Sequence, residues 1–208
     1  MYQLVFFLYL NMSKADRTKQ LIIEKTAPIF NKKGYAGTSL TDMTDATGLT
    51  KGSVYGNFED KDDVALAAFD YNMERLIGQV REQQAAQRSA LSKLQAFITV
   101  YRNGLQAPVL SDGCPLINMG IEADDTHPQL KEKVSAALTR WHKSISAIIQ
   151  QGKIQGEFRD DVNAAEFASL MIAMIEGGFT LSKISGDGSY LVQSIGHLEQ
   201  LIISELKK

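Results

Sequence analysis

The stretch that decides the fold is GYAGTSLTDMTDATGLTKGSVYGNFEDKDDV, which spans residues 34–64. Ser39 and Thr50 carry the short hydroxyl side chains that cap the N-termini of helices. Gly48 lies between them and is the residue type that ends a helix in the left-handed conformation. The stretch therefore predicts two short helices joined by a glycine turn, followed by a third helix that Asp60 caps.

The two short helices are predicted to run from about Leu40 to Thr47 and from about Lys51 to Asn57. This is a helix-turn-helix arrangement, in which the second helix enters the major groove of DNA. Hydroxyls and lysines can bind phosphate oxygens, and glycines let a backbone approach another surface closely. The predicted DNA-contacting residues are Thr38, Ser39, Thr41, Thr50, Lys51, Gly52, Ser53, Tyr55, Gly56, Asn57 and Lys61. The alternative is a three-helix subdomain that packs on something other than DNA.

Composition indicates a soluble globular protein rather than a general polyanion binder. The chain has 208 residues, 44% hydrophobic content and a formal net charge of −2. Residues 12–61 carry eight basic and six acidic side chains, whereas residues 62–208 carry 14 and 18. A mildly basic head on an acidic body suits DNA binding at one end only.

The polar residue types do not form a recognisable cofactor, metal or catalytic motif. The single cysteine, Cys114, excludes an internal disulfide framework and favours a cytoplasmic location. Three histidines, at positions 127, 142 and 197, lack metal-ligand spacing. No glycine-rich phosphate loop or Ser-His-Asp signature is present, so we predict no cofactor, no metal site and no enzymatic activity.

The first eleven residues, MYQLVFFLYLN, are apolar and uncharged. They are too short to span a bilayer, which takes about 20 residues, and they lack the features of a signal peptide. Because Met12 follows, we predict that residues 1–11 are a non-native or disordered leader and that no membrane is a partner. The alternative is an arm that packs on a partner or a membrane. Residues 12–60 would then form the helix-turn-helix domain and 61–208 a ligand-binding and dimerisation domain.

The rest of the chain reads as helix, which predicts an all-α fold of about nine helices. Beside the two short helices, the predicted helices cover residues 14–33, 60–84, 89–106, 116–123, 128–153, 163–184 and 190–206. The last two are apolar on more sides than one wall of a monomer needs, and such helices must be buried. We therefore predict a homodimer through these two helices. The alternative is that both belong to the core of a monomer.

The head also resembles the DNA-binding domain of the tetracycline-repressor (TetR) family. The resemblance covers about residues 14–70, and its matching positions are Phe30, Gly34, Tyr35, Thr38, Ser39, Leu40, the 42–48 helix, 51–58 and Lys61. It implies a regulator, usually a repressor, that binds a pseudo-palindromic operator as a dimer. It also implies that the helical body encloses a pocket for a small-molecule effector, which separates the two heads.

The resemblance directs attention to aromatic and methionine residues of the body as a pocket lining. The candidate pocket residues are Phe97, Tyr101, Cys114, Met119, Trp141, Met171, Met174, Ile175 and Phe179. Rows of these residue types at helical spacing are also typical of ordinary core.

Cys114 stands at the start of a predicted helix, where the helix N-terminus would lower the pKa of its thiol. The Gly113–Cys114 pair and residues 180–185 resemble a branch of the family similar to the N-ethylmaleimide-reductase repressor. That resemblance implies sensing of electrophiles or oxidants through Cys114. A lysine near a thiol can stabilise the thiolate, so Lys183 is a candidate partner of Cys114. The alternative is that Cys114 is a small buried hydrophobe.

Two other classes of function remain open from the sequence. A thiol-dependent helical enzyme would use Cys114 as a nucleophile, but it needs an oriented base, and neither Asp112 nor His142 is placed by sequence to serve as one. A helical adaptor without DNA binding is the other alternative.

Overall fold

The computed structural model describes residues 13–107 and 109–208. The predicted leader, residues 1–11, lies outside the described residues. Nine α-helices occupy the described part of the chain, and they are α1 (Lys14–Gly37), α2 (Leu40–Thr47), α3 (Lys51–Tyr55), α4 (Lys61–Gln84), α5 (Ala90–Arg102), α6 (Pro115–Thr126), α7 (Pro128–Ile154), α8 (Ala164–Ser185) and α9 (Ser189–Leu201). A π-helical turn, Ile202–Leu206, follows α9. The all-α prediction is confirmed.

Side-chain caps set the starts of most helices. Ser13, Ser39, Thr50 and Ser89 each accept a hydrogen bond from the backbone three residues on, at the starts of α1, α2, α3 and α5. Asn163 does the same for α8 through two backbone N–H groups. Such caps satisfy helix donors that have no partner inside the helix. They explain why the predicted starts agree with the structure to within one or two residues.

Several predicted helix ends were wrong. Helix α1 reaches Gly37 rather than residue 33, and α9 ends at Leu201, where the π-helical turn to Leu206 begins. Helix α3 ends at Tyr55 rather than Asn57, because the backbone turns at Gly56. Helix α5 ends at Arg102 rather than near residue 106, and residues 103–106 form turns. Helix α6 is longer than predicted at both ends and runs from Pro115 to Thr126. Pro115 fits its first turn, where no backbone donor is needed.

The arrangement places α4 and α6 between the head and the body. Helix α4 packs against α1 of the head and α5 of the body, while α6 packs against α1 and α7. Helices α7, α8 and α9 pack in sequence along the far side. One buried apolar cluster runs from Ile22 and Phe30 in α1 to Leu198 in α9, so that the head and the body share a continuous core.

Helix α1 is interrupted at Gly34, whose φ of 73° and ψ of 178° are not helical. This combination is accessible almost only to glycine. The interruption leaves the backbone N–H groups of Tyr35 and Ala36 without partners in the preceding turn, and a side chain from α6 binds them, as described below.

Candidate functional site

Helix caps and a buried side chain fix α3 in the head and leave its outer face exposed. The Ser39 hydroxyl accepts from the Asp42 backbone N–H at 3.1 Å, and the Asp42 carboxylate accepts in return from the Ser39 N–H at 2.8 Å. Gly48, with φ of 67°, ends α2 in the left-handed conformation. Thr50 then caps α3 by accepting from the Ser53 N–H at 3.2 Å. Val54, from the inner face of α3, is fully buried.

The outer face of α3 is exposed at Thr50, Lys51 and Gly52. A Cβ atom added at Gly52 would meet nothing within 4 Å, and its φ is not in the positive region. The fold itself therefore gives no reason for glycine at this position. Gly56 differs, because a Cβ there would lie 3.0 Å from the carbonyl oxygen of Gly52.

Several predicted DNA-contacting side chains are already engaged within the head. Thr38 is buried and its hydroxyl donates to the Gly34 carbonyl at 2.7 Å, so Thr38 does not belong to an exposed contact surface. The Asn57 amide donates to the Ser53 carbonyl at 2.9 Å. The Lys61 ammonium lies 4.3 Å from the centre of the Tyr35 ring. The side chains of Thr41, Thr50 and Lys51 are exposed.

A cavity of about 400 Å³ lies in the body among α4, α5 and α7. Three of the predicted pocket residues line it, and their rings stack: Tyr101 lies 5.7 Å from Phe97 and 5.5 Å from Trp141 between ring centres. The rest of the lining is Met73, Leu76, Ile77 and Val80, with Asp70, Glu74, Arg81, Gln84, Arg140 and Ser144 as polar members. The predicted pocket residues include none from α4, so sequence reasoning missed the contribution of this helix.

The other predicted pocket residues lie elsewhere. Cys114 and Phe179 line a separate groove of about 370 Å³ between α6 and α8. Met119, Met171 and Ile175 are fully buried in the core. Met174 is half-buried, and its carbonyl accepts from the Ser194 hydroxyl at 2.5 Å. The predicted set thus joined a cavity, a groove and part of the core.

The expectation that a helix N-terminus lowers the pKa of Cys114 is wrong. The thiol is 1% exposed, and it donates to Oε1 of Glu176 at 2.9 Å. Burial first, and then the charge of Glu176, raise the pKa of the thiol well above its usual value, whereas backbone N–H groups of α6 only partly oppose this. The Lys183 ammonium donates to the Ser111 carbonyl at 2.5 Å, whereas the side chains that hydrogen-bond with the thiol are those of Tyr101 and Glu176.

Glu176 is the polar residue of the body that sequence reasoning missed. It is 6% exposed, and burial raises its pKa from 4.5 to about 7. Its Oε1 also accepts from the Tyr101 hydroxyl at 3.3 Å, while its Oε2 is buried without a hydrogen-bond partner among the described residues. A signal was available, since Glu176 interrupts the otherwise apolar run LMIAMIEGGFTL.

Helix α6 connects this buried cluster to the head. The Glu122 carboxylate near its end accepts from the backbone N–H groups of Tyr35 and Ala36 at 2.6 and 2.7 Å. A Cβ at Gly34 would lie 2.2 Å from an oxygen of Glu122. Asn118 also donates to the Asn31 carbonyl at 2.8 Å. Because Cys114 begins the same helix, a shift of α6 would move contacts at both ends.

An apolar face of α8 and α9 is left uncovered. Leu181 and Ile184 on α8 are 51% and 79% exposed, and Val192 on α9 is 64% exposed. A Cβ at Gly177 or Gly196 would meet nothing within 4 Å, so packing within the protomer does not require glycine at these positions. Helix α8 is the described helix that is long and apolar enough to cross a bilayer, a test that core helices of soluble proteins also pass.

Among the described residues, no group of three or more His, Cys, Asp or Glu side chains is arranged to hold a metal ion.

Comparison with known proteins gives one consistent result. Residues 22–68 match "Bacterial regulatory proteins, tetR family", and residues 90–198 match "Tetracyclin repressor-like, C-terminal domain". A TetR-family transcriptional regulator from Cytophaga hutchinsonii is 42% identical, with 95% of this chain and 99% of that one covered and a TM-score of 0.88. A TetR transcriptional regulator from Chloroflexus aurantiacus is 37% identical, with coverage of 94% and 99% and a TM-score of 0.90. The HTH-type transcriptional repressor DhaR of Mycobacterium sp. strain GP1 is 25% identical, with 80% of this chain and 82% of DhaR covered.

Proposed function

Because the chain belongs to the tetracycline-repressor (TetR) family of helix-turn-helix transcriptional regulators, we propose that it is a dimeric repressor that a small molecule releases from its operator. Repression and a response to a ligand are typical of this family. The observation that carries the proposal is the exposed, capped helix α3. It has a glycine at position 52, where the fold has room for a side chain.

The proposed DNA-contacting surface is formed by α3 and the start of α2. Thr50, Lys51 and Gly52 would lie nearest the duplex, since all three are exposed at the start of α3. Lysine and hydroxyl groups there would bind phosphates and set the register of the head on the duplex. The remaining members of the proposed surface are Ser39, Thr41, Ser53, Tyr55, Gly56, Asn57 and Lys61, and Thr38 is removed because it is buried.

Members of this family bind DNA and act as dimers. For this chain we propose the uncovered apolar face of α8 and α9 as the interface, with Gly177 and Gly196 allowing close approach of two protomers. An exposed apolar face of this kind is costly in water. A twofold dimer would place two α3 helices in successive major grooves, about 34–36 Å apart.

The proposed effector site is the cavity among α4, α5 and α7. Its volume of about 400 Å³ is within the range of small-molecule sites. Helix α4 lines this cavity and also packs on α1, so a ligand that displaces α4 would re-aim the head. To release the operator, the ligand must bind better to the conformer whose α3 helices no longer match the groove spacing.

Sensing through Cys114 and Lys183, and the resemblance to the N-ethylmaleimide-reductase-repressor branch, stay predictions. The burial and raised pKa of the thiol favour a reversible ligand over an electrophile. Alkylation of Cys114 followed by measurement of operator binding tests this, because a sensor would release DNA when fully modified.

We infer a cytoplasmic location, since the relatives are bacterial transcriptional regulators and operator DNA lies there. The relatives are regulators rather than enzymes. A thiol-dependent enzyme would need its substrate to reach a thiol that is almost completely buried.

Selection of bound duplexes from a random pool tests the proposal directly. We expect enrichment of a pseudo-palindrome whose half-sites are about one helical turn apart. Lys51→Glu should weaken binding to all sequences, whereas Arg88→Glu, the same charge reversal at an exposed site between α4 and α5, should not. If no duplex is enriched over competing polyanions, the proposed function is wrong. If Lys51→Glu binds as tightly as the parent and Arg88→Glu do, the assigned surface is wrong.

A further inference from the structure

Glu176 is a buried acid whose carboxylate is only partly satisfied by hydrogen bonds. One of its oxygens lacks a hydrogen-bond partner among the described residues. None of the ion pairs in the described part of the chain includes it. Burying a polar group without a partner costs free energy, so such a group calls for an explanation.

The position of Glu176 relates it to the effector cavity. The Tyr101 hydroxyl donates to Glu176, and the Tyr101 ring forms part of the cavity wall. That ring stacks with Trp141 at an angle of 13° and with Phe97 at 20°. The carboxylate therefore lies at the hydroxyl end of one of the three aromatic rings in the cavity wall, and aromatic faces attract cations.

The charges at the edge of the cavity are largely paired. Arg81 lies 3.1 Å from Glu74, and Lys133 pairs with Asp70. Arg140 also lines the cavity but is exposed to solvent, where its charge is screened. The charge of Glu176 is buried, and buried charges are screened much less.

We propose that the cavity binds an organic cation that carries an aromatic or other apolar group, with the rings of Phe97, Tyr101 and Trp141 facing the cation and Glu176 as its counter-charge. The inference rests on the proposed function in that it names the chemical class of the effector. Aromatic faces attract quaternary ammonium groups, which have no hydrogen-bond donors, and the carboxylate of Glu176 would act on such a group through its charge.

Trp141 is the only tryptophan of the chain, so its fluorescence reports binding in this cavity. The probes are benzyltrimethylammonium, its uncharged isostere neopentylbenzene, and the anion benzylsulfonate, titrated at pH 8, where a group with a pKa of about 7 is mostly ionised. We expect the cation to bind at least about tenfold more tightly than the isostere, a difference of about 1.4 kcal/mol. Equal affinities, or tighter binding of the anion, would overturn the proposal.

The variant Glu176→Gln keeps the shape of the side chain and an acceptor for Tyr101 and Cys114 but removes the charge. Its preference for the cation over the isostere should fall to about twofold or less, while Glu132→Gln, an exposed acid on α7, should keep the preference of the parent. If Glu176→Gln keeps the full preference, Glu176 is not the counter-charge. The probe ranking on the parent protein decides the ligand class even if this variant does not fold.

Operator binding is measured on the same samples, so that the two proposals fail separately. DNA binding without any preference for the cation would overturn the ligand class alone. A preference for the cation without binding to any duplex would overturn the proposed function and leave the ligand class standing.

Discussion

Glu176 should make the protein less stable as the pH rises, and Glu176→Gln should remove this dependence. Burial raises the pKa of this carboxyl from 4.5 to about 7. The folded state then holds the proton more tightly than the unfolded chain does. The stabilisation is therefore complete below pH 4.5 and is lost as the pH rises through about 7, because stability falls with pH wherever the folded state binds more protons.

The expected magnitude follows from the pKa difference. One pKa unit corresponds to about 1.4 kcal/mol, so a pKa of about 7 in place of 4.5 is worth about 3 kcal/mol. Because Glu176 is only 6% exposed, solvent screening does not reduce this free energy appreciably. Other groups titrate over the same range, and the variant serves to subtract them.

Urea unfolding of the parent and of Glu176→Gln at a series of pH values between 4.5 and 8.5 measures the effect. The protein concentration must be the same throughout, because association changes the apparent stability. The free energy of unfolding of the parent, relative to that of the variant, should fall by about 3 kcal/mol across this range. A difference that stays constant with pH would refute the reasoning, since it would mean that Glu176 is ionised or protonated equally in both states.

Three further substitutions test other parts of the structure. Thr50→Ala removes the cap of α3 and should destabilise the head by about 1 kcal/mol, while Thr139→Ala on the exposed face of α7 should not; equal melting temperatures of the two variants would contradict the capping role. Gly34→Ala places a Cβ against Glu122 at a φ of 73° and should cost at least about 1–3 kcal/mol, measured by thermal unfolding; a variant as stable as the parent would show that this joint can relax freely. Leu181→Glu puts a charge on the uncovered face of α8 and should yield monomers in sedimentation experiments, whereas dimers at unchanged affinity would place the interface elsewhere.

Features that depend on neighbouring residues could be predicted from the sequence. The starts of α2 and α3 follow from Ser39 and Thr50, because a cap acts within three residues of its own helix. The turn between them follows from Gly48 for the same reason. Exposure of the α8 and α9 faces could also be anticipated, since it depends on a surplus of apolar residues along each helix.

Features that depend on packing between distant helices could not be predicted. The partner of Cys114 is Glu176, which is 62 positions away, and only the tertiary fold brings the start of α6 beside α8. The same contact reverses the expected direction of the thiol pKa. The sequence shows that Gly34 matches the family but not why a glycine is needed there. The need arises from the carboxylate of Glu122 on α6, which is distant in sequence and leaves no room for a Cβ atom. Which residues line the cavity likewise depends on how α4 packs beside α5 and α7.

Helix α3 is only five residues long, and one of the five is glycine. If this is the element that meets the operator, few side chains remain to tell one base pair from another. Each wrong base pair in a site typically costs about 1–3 kcal/mol, while a genome offers about a million or more competing positions. A single protomer would then have too little information to locate one promoter. Selectivity has to come from requiring two half-sites at a fixed spacing, so that protein concentration, through the monomer–dimer balance, decides which genes are found.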